Sequence, residues 1–352
     1  MVKKKHSSKN KTKHKTTAST AKSKASGHRR ITRNQSKNTS ATPYKDLMEQ
    51  FSVNDLPDLD ECVLGALEFF QDKEIPEIII PYKKPLVVGS GNAEATGKIL
   101  FEDIGAIFAS ESNFEDKLKN IKGIDGVILV SASGNKHAPI IAKTVNKYKK
   151  HLTLLTNNYY AKAEKLLDHK HKYDLFLFPH QREPYTYNTS TYMSMLLGKT
   201  KEKPKEIYDF ILKSTLNLEL PKLKKYDKFY LIIPPEFSGI KRMLEIKFIE
   251  LFGRQIAHTI ETSSYVRHAT TIIPSDELFI SFGEENKTFG LPKQRLFIPL
   301  PKNADYAAMM AVAYYIIGKI QASHTPYFKR YIKPYTNVIS RVFNQAIKPV
   351  VP

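Results

Sequence analysis

The chain has 352 residues, 41% of them apolar, with 55 Lys and Arg against 35 Asp and Glu for a formal net charge of +20; that suffices for two or three domains with sizeable cores. The single cysteine, Cys62, excludes an internal disulfide and a cysteine-rich zinc site. The longest apolar run, Ala307–Gly318, is too short to cross a bilayer, and the N-terminus lacks the apolar stretch of a secretory signal, so a cytoplasmic, reducing location is expected.

Charge is concentrated at the start. Residues 1–45 hold 14 Lys and Arg and no acid, which leaves 41 basic against 35 acidic residues in the remainder. This segment of Lys, Ser, Thr and Asn has almost nothing to bury, so it is expected to be a disordered basic tail. Its lysines suit non-specific contact with nucleic acid or another polyanion. Residues 1–43 contain no aromatic for base stacking, and a solvated extension without a partner is the plainer reading.

After the tail, apolar spacing predicts a helix over 56–70. Strands are predicted over 85–91, 106–110, 126–133, 151–157 and 174–180, and helices over 92–103, 114–120, 136–149 and 159–167. Apolar strands separated by helices imply a parallel α/β sheet covered on both faces. The charged KTKEKPKE stretch at 199–206 marks a boundary. A helix over 207–216, a strand over 228–234 and a helix over 239–252 follow. HTIETSSYV, DELFISFG and QRLFIPL are three further strands, and 306–324 is the longest helix. The second half repeats the pattern of the first, which predicts an internal structural duplication. The expected domains are 1–45, 46–200, 201–326 and a Pro-punctuated basic C-terminal tail, 327–352, that wraps back over the body.

In an open parallel sheet, ligands bind beyond the carboxyl ends of the strands. There the sequence places Gly89-Ser90-Gly91-Asn92, then Ser131-Ala132-Ser133-Gly134-Asn135-Lys136, then Thr156-Asn157, and finally Glu183 with Thr189-Ser190-Thr191. Hydroxyls and backbone N–H groups at helix starts, with Lys136 alongside, suit a phosphate. Gly89-Ser90-Gly91 also begins a partial G-x-G-x-x-G dinucleotide pattern, with Glu111 where a ribose-binding acid would fall. Glu94, in the place of the third glycine, argues against it.

DGVILVSASGN (125–135), LLTN (154–157) and the segment from Glu183 to Leu196 resemble sugar isomerase (SIS) domains, and most of all the isomerase half of glucosamine-6-phosphate synthase. The resemblance covers about residues 48–330 and rests on Ser131, Ser133, Gly134, Thr156, Asn157, Glu183, Thr189 and Tyr192. It implies two flavodoxin-like α/β/α subdomains with central parallel sheets, and a homodimer. It also implies a sugar phosphate held by Ser90, Ser131, Ser133, Gly134, Glu183 and Thr189. Lys136 stands where the family carries a threonine, and Gly91 where it often carries a serine. The resemblance does not extend to the synthase's glutaminase domain, so ammonia transfer from glutamine is not expected of this chain alone.

Aldose–ketose isomerisation needs a carboxylate to move a proton between adjacent carbons and a group such as histidine to open the ring. The resemblance assigns these roles to Glu250 and His268, with Glu245 and Glu261 as rival bases. Lys329 and Lys333 fall in the segment that closes over the sugar in the family. The plainer alternatives are that Glu250 is a solvent-facing carboxylate paired with Lys247 or Arg254, and that His268 is a surface histidine. The resulting expectation is a phosphosugar isomerase requiring no metal or other cofactor. An amino-sugar-phosphate deaminase or deglycase and a non-catalytic sugar-phosphate-binding regulator are the alternatives.

Overall fold

Side chains point alternately to the two faces of a strand, so a strand that is apolar throughout is buried on both sides. The computed structural model describes residues 43–166, 173–215, 220–268 and 273–352. The basic segment at 1–42, the predicted helix ends Leu167 and Leu216, and Ala269 lie outside the described residues.

Two helices open the fold, α1 (Tyr44–Gln50) and α2 (Leu59–Phe70). The first half continues with β1 (Pro85–Gly89), α3 (Asn92–Phe101), β2 (Ile107–Ser110), α4 (Phe114–Asn120), β3 (Gly126–Val130), α5 (Ala138–Lys147), β4 (Leu152–Thr156), α6 (Lys162–Lys165) and β5 (Tyr173–Leu177). A two-residue strand β6 (Glu183–Pro184) precedes α7 (Thr189–Thr200). The second half runs α8 (Pro204–Thr215), β7 (Lys228–Ile233), α9 (Lys241–Phe252), β8 (Ala257–Thr262), α10 (Ser263–His268), β9 (Leu278–Phe282), β10 (Arg295–Ile298) and α11 (Tyr306–Ser323). It closes with α12 (Tyr327–Val342) and β11 (Val350–Val351). Among the described residues no helix is long and apolar enough to cross a membrane.

Both main sheets are parallel. The first has the order β2-β1-β3-β4-β5 and the second β10-β9-β7-β8. Counted from its own first strand, each sheet follows the flavodoxin-like order 2-1-3-4, as a duplication requires. One apolar core joins the facing sides of the two sheets. Val87, Ile128 and Leu155 contribute from the first and Phe229, Leu231 and Ile280 from the second, around α2, α7, α9 and α11. A second cluster packs the other face of the first sheet against α4 and α5. The outer face of the second sheet holds a smaller cluster, Tyr230, Ile232 and Phe279 with Val266 of α10.

The structure corrects three local readings. HTIETSSYV is a strand only as far as Thr262; the Thr262 hydroxyl then accepts from the Tyr265 N–H (3.2 Å), starting a helix that buries Val266. Thr189-Ser190-Thr191 is the first turn of the buried helix α7 and not a free loop. The C-terminal segment is helical through Pro334. Phe328, Ile332 and Thr336 form its buried stripe while Pro334 lies on the exposed side. The chain then returns as β11, antiparallel to β6.

Helix α11 crosses α2 at Gly318, where an added Cβ would sit 2.0 Å from the Asp60 backbone nitrogen. The Lys319–Asp60 ion pair (2.6 Å) seals the same crossing. Gly318→Ala is therefore expected to force the helices apart and cost about 1–3 kcal/mol, measured as a lower urea midpoint. An unchanged midpoint would show that the crossing can give.

Candidate functional site

The strand order reverses between β1 and β3, so their carboxyl ends open the crevice of the first sheet. Beside it, the turn after β3 is built from its own hydroxyls. Ser131 Oγ accepts from the Gly134 N–H (3.1 Å), and Gly134 has φ +63°. A Cβ at Gly134 would lie 2.5 Å from Ala161 Cβ, so glycine is required by both conformation and space.

Hydrogen bonds tie the neighbouring loops to this turn. Asn158 Nδ2 donates to the Ser133 carbonyl (2.8 Å), Thr156 Oγ1 to the Ala132 carbonyl (2.7 Å), and Asn157 Nδ2 to Thr191 Oγ1 (2.6 Å). The turn after β3, the turn after β4 and the start of α7 thus converge. Ser133 is exposed and Ser90 half-buried at this edge. Gly91, beside Ser90, takes φ +58° and faces open space.

Glu183 has a different place. Its carboxylate is buried and accepts from the backbone N–H groups of Thr189 and Ser190 (2.7 Å each) and from the Ser190 hydroxyl. The protein's own carboxylate therefore occupies the start of α7. Burial raises its pKa, while the Ser190 and Thr189 hydrogen bonds and Lys247 oppose the rise. Thr189 is fully buried, and its hydroxyl has no hydrogen-bond partner among the described residues.

Lys136 reaches from the first half toward the second. Its ammonium donates to the Tyr185 hydroxyl and lies 5.0 Å from the centre of that ring and 4.9 Å from that of Phe343. Burial lowers the Lys136 pKa and the charge of Glu250 raises it. Glu250 leads back to the same place, since burial raises its pKa while Lys247 and then Lys136 lower it. Its field also reaches Tyr185 and Tyr335.

Glu250 does pair with Lys247, at 2.8 Å, but the pair does not face solvent: the Lys247 side chain is 0% exposed and that of Glu250 23%. Lys247 also donates to the carbonyls of Tyr187 (2.8 Å) and Thr186 (3.2 Å). Those carbonyls belong to a loop whose Thr186 and Asn188 take positive φ (+79° and +46°). A cavity of about 640 Å³ opens on Glu250 between the end of α9 and α12, walled by Thr186, Ile249, Gly253, Tyr331 and Tyr335. The rival acids are engaged elsewhere, Glu245 with Arg242 (3.0 Å) and Glu261 with Lys241 (2.6 Å).

Other candidates lie apart from Glu250. His268 is exposed at the end of α10, which packs on the outer face of the second sheet. Lys329 pairs with Asp58 (2.9 Å) and Lys333 donates to Asn54 (2.9 Å), so both anchor α12 to the segment before α2. The same helix presents Arg330, Tyr331 and Tyr335 to the cavity instead. Tyr185, Lys247 and these α12 residues went unread as site residues. The only sequence signal was the three-residue spacing of Lys247 and Glu250 on one helix face.

No protein-family model matches the chain. No curated protein matches it in sequence. Solved structures do share its architecture. It is similar to glucosamine-6-phosphate deaminase from Thermotoga maritima (15% identity, TM-score 0.51, covering 76% of this chain and 94% of that one). It is similar to the C-terminal domain of glucosamine-fructose-6-phosphate aminotransferase from Francisella tularensis (10%, 0.51, 77% and 94%). A third likeness is to tagatose-6-phosphate ketose/aldose isomerase from Escherichia coli (13%, 0.51, 77% and 89%). With the doubled strand order, these likenesses show a fold of two flavodoxin-like α/β/α halves shared with those structures.

Proposed function

We propose that the chain is a cytoplasmic phosphosugar aldose–ketose isomerase. The observation that carries this reading is a cavity sized for a small ligand that opens on Glu250 and on Tyr335, whose ring lies 6.4 Å from that of Tyr185, the partner of Lys136. Ser131, Ser133, Gly134 and Lys136 would hold the phosphate, with Ser90 across the crevice. Glu250 would take the proton from C2 of the open-chain aldose and return it to C1 through an enediol. A carboxyl group raised by burial and held by a lysine suits that work, because it can both accept and release the proton. His268 would open the ring from a second copy, in a homodimer, since its own Glu250 lies on the other side of the sheet.

The test is a panel of hexose phosphates and amino-sugar phosphates followed by NMR in deuterated water. Deuterium entering C1 or C2 is the expected result, and release of ammonia would identify a deaminase instead. Ser131→Ala and Lys136→Met are each expected to weaken sugar-phosphate binding by about tenfold, measured by calorimetry; unaltered affinity in both would remove the phosphate from this turn. The remote position of His268 favours one second reading, a regulator that binds without turnover. Tight binding with no exchange, unchanged in Glu250→Gln, would establish it.

A further inference from the structure

The positive charge of the folded body is confined to one layer. Of the 41 basic and 35 acidic residues in 46–352, the stretch 114–166 from α4 to the end of α6 holds 10 and 4, and the rest holds 31 of each. Strands β3 and β4 within it carry no charge, so the excess stands on the helices and their turns. Those helices share one side: Leu118 of α4, Ile141 and Val145 of α5 and Ala163 of α6 join the cluster on the face of the first sheet turned away from the common core. Elsewhere lysines meet carboxylates, as Lys98 meets Glu94 (2.7 Å), Lys199 meets Asp103 (2.7 Å) and Lys201 meets Glu77 (2.6 Å). In this layer Lys119, Lys122, Lys143, Lys147 and Lys149 are exposed and form no ion pair among the described residues. Each is solvated by itself, but a one-sided layer of cations on an otherwise neutral body sums to a potential that concentrates a polyanion.

Helices α5 and α6 lie side by side, joined where Asn146 Nδ2 donates to the Leu166 carbonyl (2.9 Å). Lys143 and Lys147 stand one turn apart on α5, and Lys162 and Lys165 are exposed on α6. Just before α6, Tyr159 and Tyr160 are 64% and 74% exposed, with ring centres 5.2 Å apart. Their loop is pinned, since Asn158 Oδ1 accepts from the Tyr160 N–H (3.0 Å) while its Nδ2 holds the Ser133 carbonyl. Lysines in a row follow a phosphate backbone, and open aromatic rings stack on unpaired bases. An anionic membrane would ask for an apolar stripe along the outward face, where α5 and α6 present lysines. We propose that this layer binds single-stranded nucleic acid, with the lysines of α5 and α6 on phosphates and Tyr159 and Tyr160 stacked on bases. The inference is independent of the phosphosugar reading and uses neither Glu250 nor its cavity.

Fluorescence anisotropy of a labelled oligothymidylate of about 20 nucleotides, titrated with the full chain at several salt concentrations, tests this. Lys143→Glu/Lys147→Glu/Lys162→Glu is expected to weaken binding about tenfold or more and to lower the slope of log affinity against log salt by about 2. Lys203→Glu/Lys225→Glu/Lys302→Glu makes the same change of charge outside the layer and is expected to weaken binding less than about threefold. Both variants keep the basic segment 1–45, so attraction to that segment cancels between them. Tyr159→Ala/Tyr160→Ala is expected to weaken binding about tenfold with the salt slope unchanged. An equal loss in the two triple variants, no loss in the tyrosine variant, or a wild type that does not bind overturns the inference. So does a layer variant that loses binding to phosphatidylserine vesicles and keeps the oligonucleotide. Sugar-phosphate binding is read separately on the same variants, so failure of either reading leaves the other standing.

Discussion

Glu250→Gln is expected to slow proton exchange between C1 and C2 of a bound sugar phosphate by about 10²–10⁴-fold, with sugar-phosphate affinity nearly unchanged. Glutamine keeps the shape and can still accept from Lys247, but it cannot take a proton from carbon. The wild-type rate should follow the ionised fraction of Glu250. Burial raises that pKa, so activity should climb as pH rises through a value above that of an ordinary glutamate. The linked stability has the opposite sense. A carboxyl group whose folded pKa is raised contributes stability that is fully present below its unfolded pKa and lost as pH rises through the folded one. Glu250→Gln should remove both dependences. Exchange at the wild-type rate in this variant would take the carboxylate out of the chemistry.

Lys247→Met carries the largest expected loss of stability, about 3–5 kcal/mol, read as a drop in the urea midpoint. The side chain is wholly buried, so its ammonium relies on protein partners alone: the Glu250 carboxylate and the carbonyls of Thr186 and Tyr187. Methionine fills similar space but leaves these acceptors without their donor. The loop they belong to is held in an unfavourable backbone conformation, with Thr186 at φ +79°. It should loosen, taking Tyr185 and the ring over Lys136 with it. Removing the cation also takes away the main influence lowering the Glu250 pKa, so the pH profile of exchange should move upward. In the pair Lys247→Met and Glu250→Gln the two losses should fail to add by about 0.5–3 kcal/mol. Strict additivity would show that the ion pair is incidental.

The parallel sheet of the first half was readable because its strands are short, apolar throughout and separated by helices with their own spacing. The buried helix α7 was not, because Thr189, Ser190 and Thr191 look like turn residues until Glu183 is seen holding their N–H groups. Hydroxyl-rich segments serve equally as loops and as helix starts, and the deciding partner lies six residues away in the chain. The C-terminal segment misled for a related reason. Proline there argues against a helix, yet Pro334 faces away from the core and its missing N–H is tolerated on the exposed side.

The site divides in the same way. Ser131, Gly134 and Lys136 stood out in the turn after β3 and Glu250 through the family resemblance, and Lys136 is linked to the cavity at Glu250 through Tyr185 and Tyr335. For α12, Lys329 and Lys333 share one helix face and Tyr331 and Tyr335 another, a consequence of 3.6 residues per turn. The family resemblance favoured the lysines, but pairing with Asp58 and Asn54 holds them against the segment before α2.

What the amino-acid order determined by itself was local: strand and helix alternation, the glycine-bearing turn after β3 and the charge asymmetry of residues 1–45. Periodicity and turn chemistry act over a few residues and need no distant partner. The tertiary structure alone decided that the two halves share one core, that Lys247 is buried beneath Glu250 and that α12 walls the cavity. Those outcomes depend on which of several equivalent faces each helix buries, and that choice is made by contacts between residues far apart in the chain.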